Sequence, residues 1–212
     1  YEGESGGGGG GVFCSLFSSP TLTNCTISGN LAKDSDGGGV YSARYSAPAL
    51  INCIVWGNGG PAIGWYEDSQ PAVAYSCIEG WPLWPGEGNA NRDPRFVLPG
   101  RFEACDPAGG GGCLPCEWEG PDDDPIAWQR WIEGDYRIEP GSSAIDRGSA
   151  DAAPATDLDG NARPCGRGVD MGAYELSPCT GELAAFARGD ANSDGRVTLS
   201  DAVFCLCYIF RG

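Results

Sequence analysis

Gly37-Gly38-Gly39-Val40-Tyr41, followed by Pro48-Ala49-Leu50-Ile51-Asn52-Cys53, repeats an earlier stretch of the same chain. Gly9-Gly10-Gly11-Val12-Phe13 and Pro20-Thr21-Leu22-Thr23-Asn24-Cys25 stand 28 residues before, and Gly29-Asn30 precedes Gly57-Asn58 by the same offset. Short alternating strands punctuated by Gly, Asn and Pro at a fixed period return the chain to the same place once per repeat. Helical repeat arrays are excluded by the glycine content and by the alternation of Leu22, Asn24 and Thr26 against Thr23, Cys25 and Ile27. The expectation is an all-β solenoid whose coils stack ~4.8 Å apart, with Asn24 over Asn52 and Cys25 over Cys53. In such a ladder, asparagine amides and backbone groups of one coil bond to the next, which satisfies the donors of a narrow interior. In-register parallel neighbours hold their Cβ atoms too far apart for a Cys25–Cys53 disulfide. A third, shorter turn spans Pro61 to Ile78, where Pro71-Ala72-Val73-Ala74-Tyr75-Ser76-Cys77-Ile78 echoes the Pro-to-Cys strand with one extra residue. That extra residue predicts a bulge or a register change.

The coils G-G-G-V-Y and P-x-L-x-N-C-x-I-x-G-N resemble those of right-handed parallel β-helix proteins of the pectate-lyase-like superfamily. Further blocks extend the resemblance: Asn89 to Pro99, Asp135 to Asp146, Asp157-Leu158-Asp159-Gly160-Asn161, and Val169-Asp170-Met171-Gly172-Ala173-Tyr174-Glu175. In that order they are similar to the terminal coils of secreted bacterial β-helix surface proteins, and they imply one domain over residues 1–176. Residues of about 100–134 interrupt it with a Gly109 to Gly112 run, Cys105, Cys113 and Cys116, the triplet Asp122-Asp123-Asp124, and Trp118, Trp128 and Trp131. The favoured reading is an inserted surface loop stapled by disulfides; a calcium-plus-sugar platform is the alternative. Asp157 and Asp159 before Gly160 also read as a partial calcium loop.

Composition sets the surroundings. Thirteen basic against twenty-nine acidic residues give a net charge of −16, which repels nucleic acid and anionic membrane and suits a calcium-rich external medium. No stretch approaches the roughly 18 apolar residues of a membrane helix, so no membrane insertion is expected. The absence of histidine removes Ser-His and Cys-His nucleophile activation together with the commonest zinc ligand. Thirty-five glycines and sixteen prolines favour a turn-dense, strand-based architecture. Eleven cysteines point to an oxidising compartment, extracellular or at the cell surface. Cys105, Cys113 and Cys116 could bridge among themselves or to Cys165 or Cys179; zinc binding by Cys113-x-x-Cys116 competes, but no second pair follows at the expected distance. The chain starts at Tyr1 without methionine and stops mid-pattern, so it reads as an internal fragment whose targeting signal, if any, lies upstream.

Beyond a linker of about 177–188, Asp190 to Asp201 reads D-A-N-S-D-G-R-V-T-L-S-D. Oxygen donors fall at loop positions 1, 3, 5, 7, 9 and 12, with Gly195 at the sharp turn, as a Ca2+ loop of EF-hand type requires. Asp190, Asn192 and Asp194 offer side-chain oxygens, Arg196 its carbonyl, Thr198 a direct or water-bridged contact, and Asp201 the closing carboxylate. Aspartate stands there in place of the usual glutamate, so the following helix must start nearer the ion. That helix is marked by Val203, Leu206 or Cys207, and Phe210, while no entering helix precedes the loop. Residues 189–212 resemble one repeat of a type I dockerin, truncated before the second. The resemblance implies a cohesin-like protein partner recognised through Leu199 and Ser200, of which only Ser200 is the usual small hydroxyl.

Three functions follow as expectations. The first is a non-catalytic extracellular scaffold or adhesion domain carrying a calcium-dependent docking module, with end-to-end self-assembly open to its unpaired strand edges. The second is a polysaccharide lyase or glycoside hydrolase, as the resemblance implies. Lys33, Asp34, Asp36, Arg44, Glu67 and Asp68 are the ionisable residues on the coils, and no two fall on one face with a base between them. The third is binding of cell-surface polysaccharide through Trp56, Trp65 and Tyr66. No catalytic residue is assigned.

Overall fold

A computed structural model describes residues 10–32, 37–104, 114–115 and 128–176. Every regular element among them is a β-strand. The first nine strands fall into three repeats: β1 (Val12–Cys14), β2 (Thr21–Thr23) and β3 (Thr26–Ile27); β4 (Val40–Ser42), β5 (Ala49–Ile51) and β6 (Ile54–Val55); β7 (Ile63–Trp65), β8 (Ala72–Ala74) and β9 (Cys77–Ile78). Equivalent strands pair in parallel and in register, giving the three-stranded sheets β1-β4-β7, β2-β5-β8 and β3-β6-β9. Val12, Val40 and Ile63 stack in the interior with Leu22, Leu50, Val73, Ile27, Val55 and Ile78. Burying a side chain such as Leu50, which has no exposed surface, stabilises the stack by about 2 kcal/mol.

Between strands the chain turns at residues with left-handed backbone, and these also stack. Leu16, Arg44 and Glu67 (φ 57°, 53° and 51°) form one corner, Asn24, Asn52 and Tyr75 (50°, 55° and 50°) the next, and Gly29, Gly57 and Gly80 the third. The second corner corrects the simple alternation expected across it. A left-handed residue at Asn24 ends β2 and turns the chain, so Leu22, Cys25 and Ile27 all pack against the core while Asn24 is buried outside it. The G-G-G segment is required by close approach: a Cβ on Gly39 would stand 2.6 Å from the Ala62 carbonyl oxygen and 2.5 Å from the Val55 side chain.

The expected polar ladders are present. Asn52 Nδ2 donates to Asn24 Oδ1 at 3.1 Å, and Asn58 Oδ1 accepts the Asn30 amide at 3.0 Å. A serine ladder runs beside them, with Ser46 Oγ accepting the Ser18 N–H at 3.0 Å and Ser69 Oγ accepting the Ser46 N–H at 3.1 Å. Cys14, Cys25, Cys53 and Cys77 are free thiols.

No bulge or register change occurs in the third repeat. Val12 pairs with Val40, 28 residues on, and Val40 with Ile63, 23 on; Ala49 with Ala72 and Ile54 with Cys77 keep the offset of 23. Tyr75 therefore takes the corner of Asn52, Ser76 the place of Cys53, and Cys77 that of Ile54. The shortening lies upstream, since Leu31 bridges Gly59 while the Gly38 N–H already donates to the Pro61 carbonyl.

Described residues beyond the stack cover the outside of β3-β6-β9. Strand β10 (Phe96–Leu98) pairs antiparallel with β14 (Asp135–Ile138). Within the interruption, β11 (Arg101–Ala104), β12 (Leu114–Pro115) and β13 (Trp128–Ile132) form an antiparallel sheet of order β11-β13-β12. Phe96, Ile138, Ala144 and Met171 bury the outward Ile54 and Cys77 in a second core. Residues 144–176 then run along the asparagine corner: Asn24 Nδ2 donates to the Asp170 carbonyl (3.0 Å), Asn52 Nδ2 to the Ser149 carbonyl (2.8 Å), and the Ser149 and Gly172 amides return bonds to Asn52 Oδ1 and its carbonyl, both at 2.7 Å.

Asn52→Ala leaves the Ser149 amide and carbonyl without side-chain partners in a buried corner and keeps a Cβ on a left-handed backbone. Urea unfolding is expected to show a loss of about 3 kcal/mol. Asn52→Gly is expected to recover about 1 kcal/mol of it by relieving the backbone.

Candidate functional site

Aromatic side chains recur along the stack, and that of Trp65 stands in register with Ser42 and not with Tyr41. Phe13 stacks on Tyr41 with ring centroids 5.9 Å apart, and Phe17 on Tyr45 at 5.5 Å, because each pair occupies equivalent positions in adjacent repeats. In the third repeat Trp65 and Trp84 meet perpendicular to each other, with ring centroids 5.3 Å apart and planes at 84°. Trp84 comes from the segment after β9, which folds back over the end of the stack and packs on the first core. Its indole N–H is buried without a hydrogen-bond partner.

Two hollows adjoin this corner. One, of about 520 Å³, is walled by Ile63, Ile78, Glu79, Trp81 and Trp84; the other, of about 500 Å³, by Tyr66, Glu67, Asp68 and Ser69; Trp65 and Gln70 line both. Trp65 and Gln70 are thus common to two neighbouring hollows, which together make up the groove. Trp65 is 46% exposed, Tyr66 59% and Trp81 89%. Among the described residues, the charged side chains lining the groove are Glu67, Asp68 and Glu79, with no lysine or arginine.

A second concentration of chemistry is buried. Arg163 and Glu175 form an ion pair at 2.6 Å with side chains 1% and 0% exposed. Glu175 also accepts the Asp170 and Cys165 amides (3.0 and 2.7 Å), and Arg163 donates to the Gly172 carbonyl at 2.9 Å. Asp170 accepts the amides of Asp146 and Leu176, both at 2.7 Å. Asp157 accepts from Glu175 and Asn161, and Asp146 from Arg167 and Gly168. Four carboxylates and one guanidinium therefore close the turns of residues 144–176 by taking up backbone amides and carbonyls. Burial pushes the Asp170 carboxyl up to about 6 despite its two amide donors, and the Glu175 and Asp146 charges add to the rise. Burial also opposes ionisation of Asp157, but the Glu175 amide, Asn161 and Arg163 outweigh it and hold that carboxyl below its ordinary value.

Several expected site residues fall elsewhere. Asp157 and Asp159 do not converge: Asp157 turns inward to Asn161, whereas Asp159 takes a two-pronged pair from Arg137, both contacts at 2.8 Å. Trp56 packs against the second core, away from Trp65 and Tyr66, which the fold does bring together. Glu67 and Asp68 line the groove, and Arg44 lies one repeat below Glu67 on the first corner. Lys33, Asp34 and Asp36, the triplet Asp122–Asp124, and the calcium ligands Asp190, Asn192, Asp194, Arg196, Thr198 and Asp201 lie outside the described residues. Cys165 is disulfide-bonded. Among the described residues no group of three or more Cys, Asp or Glu is arranged to hold a metal ion, and no helix is long and apolar enough to cross a membrane. Compared with protein-family models, with curated proteins and with solved structures, the chain gives no match in any of the three.

The Asp170 carboxyl makes stability depend on pH. Its folded pKa of about 6 exceeds the ordinary 3.8, so the folded state binds this proton more tightly than the unfolded chain. Ionisation costs stability in full above about pH 6, and the cost is lost as pH falls towards 3.8. Urea midpoints between about pH 7 and 5 should rise for the native chain on acidification, and rise less for Asp170→Asn, which removes the charge and keeps one acceptor.

Proposed function

We propose that the chain is a right-handed parallel β-helix of the extracellular, cell-surface kind, a non-catalytic scaffold that binds carbohydrate through its aromatic face. The groove astride Trp65 carries this reading. Aromatic rings present flat apolar surface to the C–H faces of sugars, carboxylates and amides beside them accept hydroxyl hydrogens, and rings fixed on a stacked sheet lose little freedom on binding. The in-register parallel sheets support the β-helix, with its handedness taken from the resemblance in sequence. The buried acids support a scaffold role, since each is engaged with the backbone turns it closes.

Residues 189–212 are proposed to add a Ca2+-dependent docking repeat for a cohesin-like partner, with Asp190, Asn192, Asp194, Arg196, Thr198 and Asp201 as ligands. Glycan binding and docking then belong to different ends of the sequence and separate on chelation.

Retention of the whole chain on immobilised insoluble polysaccharide tests the first part. Retention is expected to survive chelator and to fall at least about tenfold in Trp65→Ala, a loss of about 1.4 kcal/mol. Release of unsaturated or reducing sugar from the matrix would replace the scaffold with an enzyme. Calorimetry tests the second part: one calcium site is expected, absent in Asp190→Ala, with glycan retention unchanged.

A further inference from the structure

The groove has a charge as well as a shape. Glu67 and Asp68 line the hollow on one side of Trp65 and Glu79 the hollow on the other, and among the described residues no cationic side chain lines either. Glu79 is already held in place, its Oε2 accepting the Gly57 N–H at 2.6 Å. The surrounding molecule carries a net charge of −16. A uronate chain entering here would bring its carboxylates against three others beside low-dielectric tryptophan walls, which is unfavourable. A cation is favoured twice, by the carboxylates and by the half-exposed ring of Trp65.

We propose that the groove takes an oligosaccharide of amino sugars, glucosamine units bearing free ammonium groups, laid across Trp65 so that successive units occupy the two hollows. The assignment rests on the glycan-binding reading above and narrows it to a substrate class. Two hollows of similar volume that share Trp65 fit a chain of at least two sugar units better than a single sugar. Stacking on Trp65 supplies the part of recognition common to all glycans. The Glu67, Asp68 and Glu79 carboxylates supply the preference for amines, and this part is screened by salt.

The experiment is a titration of the whole chain, followed by calorimetry below neutral pH where the sugar amine is charged, with three probes: a glucosamine hexamer, the N-acetylglucosamine hexamer of equal length, and polygalacturonate. The glucosamine hexamer is expected to bind at least tenfold more tightly than its acetylated counterpart at low salt, with the advantage shrinking as salt rises, and polygalacturonate least. The double variant Glu67→Gln with Asp68→Asn should reduce that advantage severalfold, weakening the glucosamine hexamer more than the acetylated one. Trp65→Ala should lose both hexamers, and Trp65→Tyr, which keeps a ring in place, should retain them in part. Equal binding of the two hexamers, insensitive to salt, would overturn the amino-sugar assignment and leave glycan binding standing. No binding of any probe would overturn both. Amine binding that survives Trp65→Ala in a folded protein would mean adsorption to the acidic surface and would also overturn the assignment.

Discussion

The bond from Asn52 Nδ2 to Asn24 Oδ1 joins two left-handed corners that would otherwise be costly, and the rest of the architecture is arranged around it. Both residues are buried, at 0% and 6% exposure, so their amides must find partners within the protein. Each repeat supplies one partner to the next, and the segment carrying Ser149, Asp170 and Gly172 supplies the others. A single polar column therefore serves two purposes. It fixes the register between repeats, and it gives the later chain a line of donors and acceptors along which to close. Where Tyr75 replaces asparagine in the third repeat, its amide goes to the Glu87 carbonyl, and the stack passes from full repeats to the segment that ends it.

Glycine, asparagine and proline made the repeat legible, because each announces a backbone requirement that recurs with the period. The corner built by Leu16, Arg44 and Glu67 was not legible, since nothing in those side chains favours a left-handed backbone and only stacking on the repeat below imposes it. Cysteine identity misled in the third repeat. Aligning Cys77 with Cys53 demands an extra residue, whereas the backbone aligns Cys77 with Ile54 and needs none. A small apolar thiol suits either face here, because the outside of β3-β6-β9 is itself buried in the second core. The blocks around Asp146, Asp157 and Asp170 stood out as patterns, but their purpose lies in contacts of Arg163 with Glu175 and of each acid with distant amides. In the groove, Trp65 and Tyr66 were visible as exposed aromatics at a coil edge. Trp84, which makes the corner, comes from a proline-bounded segment with no periodic signal.

The two concentrations of acid differ in what answers them. Inside, Arg163 and a set of amides compensate Asp157, Asp170 and Glu175, and removing one member would leave a buried charge or donor exposed to the full cost of desolvation. That arrangement specifies how residues 144–176 close more than it adds to stability, and the raised Asp170 carboxyl records the remaining imbalance. At the groove, Glu67, Asp68 and Glu79 stand beside tryptophan rings, and among the described residues no lysine or arginine lines either hollow.

Rigidity links the buried closure to the open groove. The Trp65 ring sits at the end of β7, whose backbone is paired through β4 to β1, while Trp84 is carried by a segment packed on the first core. Both rings are thus carried on backbone held by a neighbouring repeat or by the core. On the proposed reading, a ligand laid across them would order little of the backbone, leaving most of its stacking energy available for binding. The same backbone carries Glu67 and Asp68 just after β7, so the proposed preference among sugars would draw on charges placed by the fold.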